Sequence, residues 1–565
     1  MTSGNRLRSG GSLPSTIYHF PSPWLLASGG IAALVLAPIV ALVVTAGGGS
    51  ADLWQHLLAY VLPTAARDTL ILLLGVGALA AVVGTVTAWL VTAYDFPGRS
   101  VFNWALLLPL AVPTYIVAYA YLDVLHPVGP VQSAIRAILG FDSPRDFRLP
   151  DVRSMTGCIL LLGFVLYPYV YLTARAMFLM QASNLLDAAR TLGAGRRAVF
   201  FRVALPLARP AIAVGVSLAL MEALNDIGAA EFLGVRTLTV SVYTTWVTRS
   251  DLPGAAQIAL AMLVLVVAVV LAERWARRHR QYSNDAQGPR PLVPHRLTGG
   301  KAAAALLLVS FPVLAGFAVP TAYLVSETME RIQFAGVSTM LVVETRNTIL
   351  VSLIATAITV ASAVVVTYAA RLARRELPRI LMRISTLGYA VPGSVLAIGI
   401  LPVATGADRL IDAAWMPRTG NTVGLLMLGS GAALTYAYVV RFLAIAAGGI
   451  EAGFGRISPS LDDAARTMGE RAAGRLRRIH LPLTRPALVS AALLVFVDCM
   501  KELPATLLLR PLGFETLATH LYAEAARGTY EDAAIAALLI VVAGLVPVVL
   551  LARIEHAPHI ADSSR

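Results

Sequence analysis

Charged residues are scarce in this chain. Over 565 residues, Asp, Glu, Lys and Arg make up 14%, apolar residues make up 57%, and the mean hydropathy is +0.72. Soluble domains carry about 25% charged residues. So few charges cannot give a body of this size a polar surface, and the composition indicates an integral membrane protein.

Cysteine and lysine are almost absent. The two cysteines, Cys158 and Cys499, both lie in apolar runs, which excludes a disulfide framework and a cysteine metal cluster. We expect no bound metal and no cofactor. The two lysines are Lys301 and Lys501. A Walker A loop ends in Gly-Lys-Ser/Thr, but Lys301 is followed by Ala, so this chain does not bind ATP through a P-loop.

Apolar runs dominate what is present. Windows of about 20 residues predict six spans on each side of a polar linker from Glu273 to Lys301, and an all-α fold of about twelve transmembrane helices. The spans lie near 24–46, 68–92, 101–123, 155–178, 206–234 and 253–272, and near 302–325, 346–370, 381–403, 422–447, 482–510 and 530–553.

The formal net charge of +13 concentrates in particular loops. The loops after the fourth and tenth spans and the loop at 371–379 are rich in Arg, whereas the loop at 124–154 balances its charges. Cytoplasmic loops accumulate Arg and Lys, and these basic loops share one side if both termini are inside. The charge therefore predicts a multi-pass protein of the cell (inner) membrane of an organism with one membrane or two, with both termini cytoplasmic, facing lipid rather than nucleic acid.

The chain is an internal repeat. Asp187-Ala-Ala-Arg-Thr-Leu-Gly193 recurs 276 residues later as Asp463-Ala-Ala-Arg-Thr-Met-Gly469, and Arg67-Asp68-Thr69 recurs 279 residues later as Arg346-Asn347-Thr348. Six helices per half give both halves the same orientation, related by an axis along the membrane normal. We predict a first half with its linker at 1–290 and a second half at 291–565.

The repeated loop has the local features of a docking helix. Asn184 and Ser460 stand three residues before the acid, as N-caps with a carboxylate in the first turn. The Ala-Ala pair leaves one face free of bulk, and Gly193 and Gly469 suit a C′ position with positive φ. A single copy could be an ordinary capped loop, but two copies on the same side favour docking.

The spacing acid-Ala-Ala-x3-Gly-x9-Ile/Val-x-Leu-Pro resembles the EAA loop of ABC importer permeases. That resemblance implies a type I permease fold with alternating access, a dimer of separate ATP-binding subunits that grip both loops, and an extracytoplasmic solute-binding protein. The implied coupling residues are Asp187, Ala188, Ala189, Gly193, Leu205 and Pro206, and Asp463, Ala464, Ala465, Gly469, Leu481 and Pro482.

A second motif narrows the resemblance. Lys501-Glu-Leu-Pro-Ala-Thr506, followed by Leu508-Leu-Arg-Pro511, is similar to the fused permeases of ferric-iron ABC importers. Permeases for thiamine and for aminoethylphosphonate share this architecture and parts of the motif. The resemblance therefore implies ferric iron as substrate, with thiamine or a phosphonate as alternatives.

Four carboxylates are predicted at membrane depth, where charge is costly and faces a cavity or a partner. They form the pairs Glu222 and Asp226 on the fifth helix, and Asp498 and Glu502 on the eleventh. Residues four apart share a helix face, so with Lys501 they are candidates for the lining of a translocation path. Alternatively, they pair with Lys501, Arg236 or Arg510 and hold the bundle together.

A facilitator-type secondary transporter also has two parallel six-helix halves. Its basic loop between the second and third helices has only a thin counterpart here, Asp95-Phe-Pro-Gly-Arg99. The large basic loops lie instead between the fourth and fifth spans of each half. The sequence therefore favours the ABC permease, and no catalytic constellation supports a membrane enzyme.

Overall fold

The computed structural model describes residues 23–48, 51–180, 191, 193, 195–277, 294–372 and 376–556. Within these ranges the fold is helical. Ten helices are long and apolar enough to cross a membrane, or up to 12 if each of two bent helix pairs forms one span. The predicted all-α membrane fold is confirmed.

The first half contains twelve described α-helices, some of them joined by single turns of π- or 3₁₀-helix. The joining segments are Leu57–Val61, Leu108–Ala111, Phe200–Ala204 and Thr244–Thr248. The α-helices are Pro23–Ala46, Ala51–His56, Leu62–Ala93, Arg99–Ala105, Thr114–Val124, Pro130–Leu139, Met155–Met180, Arg196–Val199, Leu205–Asn225, Gly228–Phe232, Leu238–Tyr243 and Leu252–Arg277.

The second half repeats this order, with joining segments Leu314–Ala318, Leu387–Ala390 and Leu476–His480. Its described α-helices are Gly300–Val313, Val319–Ala335, Thr339–Leu372, Leu377–Ser385, Gly393–Thr419, Leu426–Gly429, Ala432–Gly455, Pro459–Thr467, Ala472–Arg475, Leu481–Leu483, Arg485–Met500, Pro504–Leu509, Leu517–Arg527 and Tyr530–His556. The predicted linker is shorter than expected, because Glu273 and Lys301 both lie inside helices.

Proline breaks the third span of each half. Helix Arg99–Ala111 meets helix Thr114–Val124 at 91°. Proline has no N–H to donate and keeps the preceding residue extended; Val112, before Pro113, has φ −104° and ψ 117°. In the second half, Val391 before Pro392 has nearly the same angles, φ −90° and ψ 123°. The repeated Val-Pro pair thus sets the same break twice.

A pair of equivalent hydrogen bonds shows that the repeat extends to tertiary packing. The backbone N–H of Leu238 donates to Oγ1 of Thr69 at 2.9 Å, and that of Leu517 donates to Oγ1 of Thr348 at 2.8 Å. Each bond joins the second span of its half to a short helix that begins after a threonine N-cap. The two repeated threonines therefore fix the same contact in both halves.

The first helix of each half packs against the other half. Helix Pro23–Ala46 contacts Thr339–Leu372 and Gly393–Thr419, and helix Gly300–Val313 contacts Leu62–Ala93. Beside the latter contact, two residues from each half form a parallel β-bridge, with Tyr94 opposite His295 and Asp95 opposite Arg296. The halves interlock rather than standing as separate bodies.

Candidate functional site

A cavity of about 120 Å³ lies where the two halves meet. Helix Leu205–Asn225 from the first half and helix Arg485–Met500 from the second end at it. All five residues that the sequence places on a translocation path line it. The polar lining is Thr114, Tyr115, Tyr169, Glu222, Asn225, Asp226, Tyr389, Arg441, Asp498, Lys501 and Glu502.

The prediction that the acids of each pair share a helix face is wrong. The fifth helix ends at Asn225, and Asp226 is extended with ψ 122°. The eleventh ends at Met500, before a new helix that begins at Pro504, which has no N–H to continue the helical hydrogen bonds. Asp226 and Glu502 thus lie beyond the spans, between two helices.

Both of these buried acids cap the helix that follows. Asp226 accepts hydrogen bonds from the N–H of Ala229 at 2.7 Å and from the hydroxyl of Thr114. Glu502 accepts from the N–H groups of Ala505 and Thr506, both at 3.0 Å. A carboxylate at a helix N-terminus satisfies N–H groups that have no partner within the helix. These two acids therefore have a structural role.

The other two acids, Asp498 and Glu222, line the cavity and have different partners. Oδ1 of Asp498 lies 2.8 Å from Nζ of Lys501, so this carboxylate is part of an ion pair. Glu222 accepts a hydrogen bond from the hydroxyl of Tyr389 at 3.2 Å. Among the described residues, no base lies within ion-pair distance of Glu222. Glu222 and Asp498 therefore have one side-chain partner each, and of these two carboxylates only Asp498 has a basic one.

Arg441 joins the halves at the cavity wall. Its Nη1 donates to Oε1 of Glu502 and to Oδ1 of Asn225, both at 3.0 Å, and Asn225 Oδ1 also accepts from the N–H of Gly393 at 2.7 Å. Sequence reasoning missed Arg441 and Tyr389. An arginine inside the apolar span at 422–447 was the available signal, since intramembrane charge marks functional positions.

Two of the proposed partner bases play no part here. Arg510 pairs with Glu515, outside the cavity lining. Arg236 is exposed. Of the three bases considered from the sequence, Lys501 alone pairs with one of the four acids in the described part of the chain.

Equivalent tyrosines of the two halves meet outside the cavity lining. The ring centroids of Tyr243 and Tyr522 are 6.2 Å apart, and Phe232 stacks on Tyr522 at 5.5 Å. The hydroxyl of Tyr522 also donates to Glu231 of the other half. This aromatic cluster packs the two halves against each other outside the cavity.

The second predicted coupling loop forms the helix Pro459–Thr467. Its N-cap is Ser458, which accepts from the N–H of Ser460, so the prediction of Ser460 as the cap is wrong: Pro459 takes the first helical position. Asp463 is exposed and lies 3.4 Å from Arg466. Ala464 is exposed and Ala465 is buried. One alanine of the pair is therefore available to a partner, and the other packs inward.

The glycines at the ends of both loops have the predicted positive φ, +86° at Gly193 and +81° at Gly469. After Met468 the chain forms a Schellman motif: Gly469 N–H donates to Arg466 at 3.0 Å, and Glu470 N–H donates to Ala465 at 2.9 Å. The other predicted cap and the acid and alanines of the first loop, Asn184, Asp187, Ala188 and Ala189, lie outside the described residues.

The Leu-Pro pairs that close the two motifs differ in setting. Leu205 and Pro206 begin the long helix that ends at Asn225, within a continuous span Arg196–Asn225. Leu481 and Pro482 lie in a short helix that meets Arg485–Met500 at 78°. The motif is therefore straight in the first half and bent in the second.

Comparison with known proteins agrees with this duplicated architecture. The family described as "Binding-protein-dependent transport system inner membrane component" matches residues 80–281 and again residues 367–557. An Fe(3+)-transport system permease protein of Haemophilus influenzae is 23% identical over 488 residues, covering 86% of this chain and 88% of the relative.

Two further relatives cover different shares of the chain. A probable ABC transporter permease protein of Sinorhizobium fredii is 25% identical over 445 residues, 75% of each chain. A molybdenum transport system permease protein of Escherichia coli K12 is 31% identical over 201 residues, 34% of this chain and 84% of the relative. With two family matches over more than half of its length, this chain belongs to the binding-protein-dependent inner membrane components, as an ABC transporter permease with two fused halves.

Proposed function

We propose that this chain forms the translocation path of an ATP-driven importer of ferric iron. The observation that carries the proposal is Glu222, a carboxylate in a cavity at the interface of the halves with one hydroxyl as hydrogen-bond partner. A carboxylate oxygen is a hard donor that suits a hard, highly charged cation. The relative from Haemophilus influenzae, whose name specifies Fe(3+), supports the same substrate.

The charge balance of the cavity favours a cation. Four carboxylates face two bases, and each base already lies against an acid: Arg441 against Glu502 at 3.0 Å, and Lys501 against Asp498 at 2.8 Å. The remaining acids are Asp226, which is satisfied as a helix cap, and Glu222. A cation that reaches the cavity therefore meets net negative charge concentrated on Glu222, which is half-buried and has no basic partner among the described residues.

The same arrangement suits transit rather than storage. Tight capture needs several ligands around one ion, whereas a path requires contacts weak enough to release it. Asp226 and Glu502 are held by backbone N–H groups and Asp498 is held by Lys501, so they are not free to converge on an ion. Glu222 offers a single contact, and alternating access of the halves moves the ion past it.

The partners and placement follow from the family. A solute-binding protein delivers substrate outside, and two separate ATP-binding subunits grip the loops that contain Asp187 to Pro206 and Asp463 to Pro482. This chain supplies no ATPase site. We place it in the inner membrane with both termini and the 273–301 region in the cytoplasm, as the distribution of Arg indicates. The halves are 1–290 and 291–565.

An oxyanion is the second candidate. Arg441 and Lys501 line the same cavity, and a relative that matches 34% of this chain carries molybdenum in its name. Arg and Lys recognise oxyanions, so a molybdate or phosphonate would have to displace Asp498 and Glu502 from these bases. Thiamine, an organic cation, is compatible with Glu222 and is a further alternative. The pairing of both bases favours the metal cation.

The test is uptake by the complete complex in vesicles, with radioactive Fe³⁺ or molybdate delivered through the solute-binding protein. Glu222→Gln should lower Fe³⁺ uptake per assembled complex about tenfold or more, since one lost charge contact of 1–3 kcal/mol corresponds to about 5–150-fold. Basal ATP hydrolysis should persist. Neutralising Glu222 and Asp498 together, to Gln and Asn, should lower uptake further.

Glu451→Gln is the matched control, because it makes the same chemical change at an exposed position of helix Ala432–Gly455, away from the cavity. It should transport as the parent chain does. Fe³⁺ uptake that is unchanged by Glu222→Gln would refute the acidic path. Molybdate uptake that depends on Lys501 would identify the oxyanion transporter instead.

A further inference from the structure

Asp462, the residue before the acid of the second coupling motif, is the centre of a polar cluster. Its Oδ2 accepts from Nε and Nη2 of Arg371 at 3.1 and 2.9 Å. Its Oδ1 lies 2.8 Å from Nε2 of His480 and 3.7 Å from Nη1 of Arg475. One carboxylate thus contacts two arginines and a histidine from three other segments of the chain.

Arg371 also connects the cluster to the end of helix Ala432–Gly455 and the residues after it. Its guanidinium also donates to the backbone carbonyls of Phe454 and, at 3.0 Å, Ile457. Phe454 lies at the C-terminal end of helix Ala432–Gly455, where free carbonyls and the helix dipole favour a cation. Arg371 therefore ties the end of the second span of this half both to the fourth span and to the coupling helix.

The cluster is shielded from water. The side chain of His480 is fully buried, and those of Asp462 and Arg475 are 14% and 7% exposed. Burial raises the pKa of Asp462, but the hydrogen bonds from His480 and Arg371 outweigh burial and hold this pKa below the usual aspartate value. The carboxylate is therefore ionised at neutral and mildly acidic pH, and its contacts with the arginines persist there.

The first half has no counterpart of this cluster in its sequence. At the positions equivalent to Asp462, Arg475, His480 and Arg371 it carries Leu186, Val199, Ala204 and Thr92. Leu186 lies outside the described residues, whereas Val199 and Ala204 are buried and apolar. In that region Trp89 packs against Phe178 and Phe200, with ring centroids 5.2 and 5.1 Å apart.

We propose that Asp462 is a positioning residue that makes the second coupling helix, Pro459–Thr467, move as one body with the span Thr339–Leu372. This rests on the proposed function, in which ATP-binding subunits grip that helix. Hydrogen bonds and ion pairs have directional geometry that specifies one relative position, whereas the hydrophobic effect is non-directional. In the second half, the coupling helix and the span Thr339–Leu372 therefore move together when the ATP-binding subunits move. In the first half, the coupling loop can move more relative to the equivalent span.

The experiment uses the complex purified with its ATP-binding subunits in lipid vesicles. Spin labels at Val247→Cys and Ala526→Cys, which are equivalent exposed positions of the two halves, report their separation by pulsed electron spin resonance. ATP with vanadate should change that distance in the parent complex. Asp462→Asn should leave copurification and basal ATP hydrolysis in place and reduce the population that shifts by about tenfold.

Two further variants separate positioning from folding. Glu376 is exposed and pairs with Arg379, outside the cluster. Glu376→Gln removes one carboxylate from that ion pair and should keep the full shift in distance. Replacing all four cluster residues with their first-half equivalents leaves no buried charge without a partner, and such replacements are tolerated by folding in other proteins. This fourfold variant should assemble and still lose the shift.

The outcomes are distinguishable. A full shift in Asp462→Asn or in the fourfold variant overturns the positioning role. If Asp462→Asn does not fold, the fourfold variant decides. A parent chain that copurifies with no ATP-binding subunit would instead contradict the proposed function, whatever the variants do.

Discussion

The two halves share a backbone plan but differ in their charges. Around the cavity, the second half carries Arg441 and Lys501 where the first half carries Val165 and Asn225. At the coupling loop it carries the Asp462 cluster, where the described equivalents in the first half are buried and apolar or a threonine bonded to its own helix. The repeat thus preserves helix order and breaks, while the charged contacts at these two places, within the described residues, come mainly from the second half.

The fifth and eleventh spans show the same divergence in shape. Arg196–Asn225 is continuous through Pro210, whereas its counterpart bends by 78° at Thr484, although Pro486 stands at the same register. Proline is therefore not sufficient to cause the bend. The bend lies one turn after His480, whose Nε2 is 2.8 Å from Oδ1 of Asp462. In this pair of equivalent spans, the bend and the contact occur together in the second half.

The largest difference that we expect between the halves concerns the two capping acids. Glu502→Gln breaks the buried pair with Arg441, and loss of one partner of such a pair costs about 3–5 kcal/mol. Asp226→Asn keeps a side-chain oxygen that can accept from the N–H of Ala229 and leaves no arginine unpaired, so it should cost less than about 1 kcal/mol. Thermal unfolding in detergent should show the first variant to be much less stable. Equal losses would mean that Arg441 contributes little at this site.

The second prediction concerns the glycines at the ends of the coupling loops. Gly469→Val forces a β-branched residue into left-handed backbone, at about 1–2 kcal/mol or more. No atom lies within 4 Å of an added Cβ, so crowding plays no part. Fe³⁺ uptake and copurification of the ATP-binding subunit should both fall, more for Gly469→Val than for Gly193→Val, because the Asp462 cluster prevents the second loop from readjusting.

Asparagine is the control for these glycines, since it tolerates left-handed backbone. Gly469→Asn should retain most of the uptake that Gly469→Val loses. If asparagine is as damaging as valine, the position needs a small residue at a docking surface rather than a positive φ.

The third prediction is an equality. Thr69→Val and Thr348→Val each leave a buried N–H, of Leu238 or Leu517, without its acceptor. Each should lower the free energy of unfolding by about 1 kcal/mol. Thr69→Ser and Thr348→Ser keep the hydroxyl and should recover most of that loss. Unequal losses would show that the repeated contact supports the two halves differently.

The smallest effect that we expect is from Lys501→Asn, which gives the second half the residue of the first. The Lys501–Asp498 pair is 31% and 24% exposed, so it contributes at most about 1 kcal/mol, or about fivefold. Without Lys501, Asp498 has no basic partner among the described residues, as Glu222 has none, and it should bind the cation more tightly and release it more slowly. Both the KM and the kcat for Fe³⁺ uptake should therefore fall. A rise in KM would mean that Lys501 itself contacts the substrate, as an oxyanion path requires.

Much of the fold could be predicted because its causes are local. Apolar runs long enough to span a bilayer, the repeated Val-Pro breaks and the glycines with positive φ depend on neighbours within a few residues. The family followed from a motif that occurs twice. The positions of Glu222 and Asp498 at the cavity also followed, because charge at membrane depth must face a cavity or a partner.

Which acids are free and which are engaged depended on residues distant in sequence. Asp226 is bound by Thr114, Glu502 by Arg441, and Glu222 by Tyr389. These contacts join segments from 61 to 167 residues apart. No helical period reports them, and so the sequence alone could not separate the acids that are held by a base or by backbone N–H groups from the acid that is not.

By itself, the sequence determined the membrane environment, the duplicated helices, the breaks at proline and the left-handed glycines, because solvent transfer and backbone sterics act locally. Only the tertiary structure decided that two acids cap helices, that Lys501 and Arg441 are neutralised by acids, and that Asp462 rather than Asp463 is bound by residues of other segments. Those outcomes depend on which side chains the interlocked halves bring within hydrogen-bond distance, and electrostatic interactions at that range are set by geometry in space and not by order along the chain.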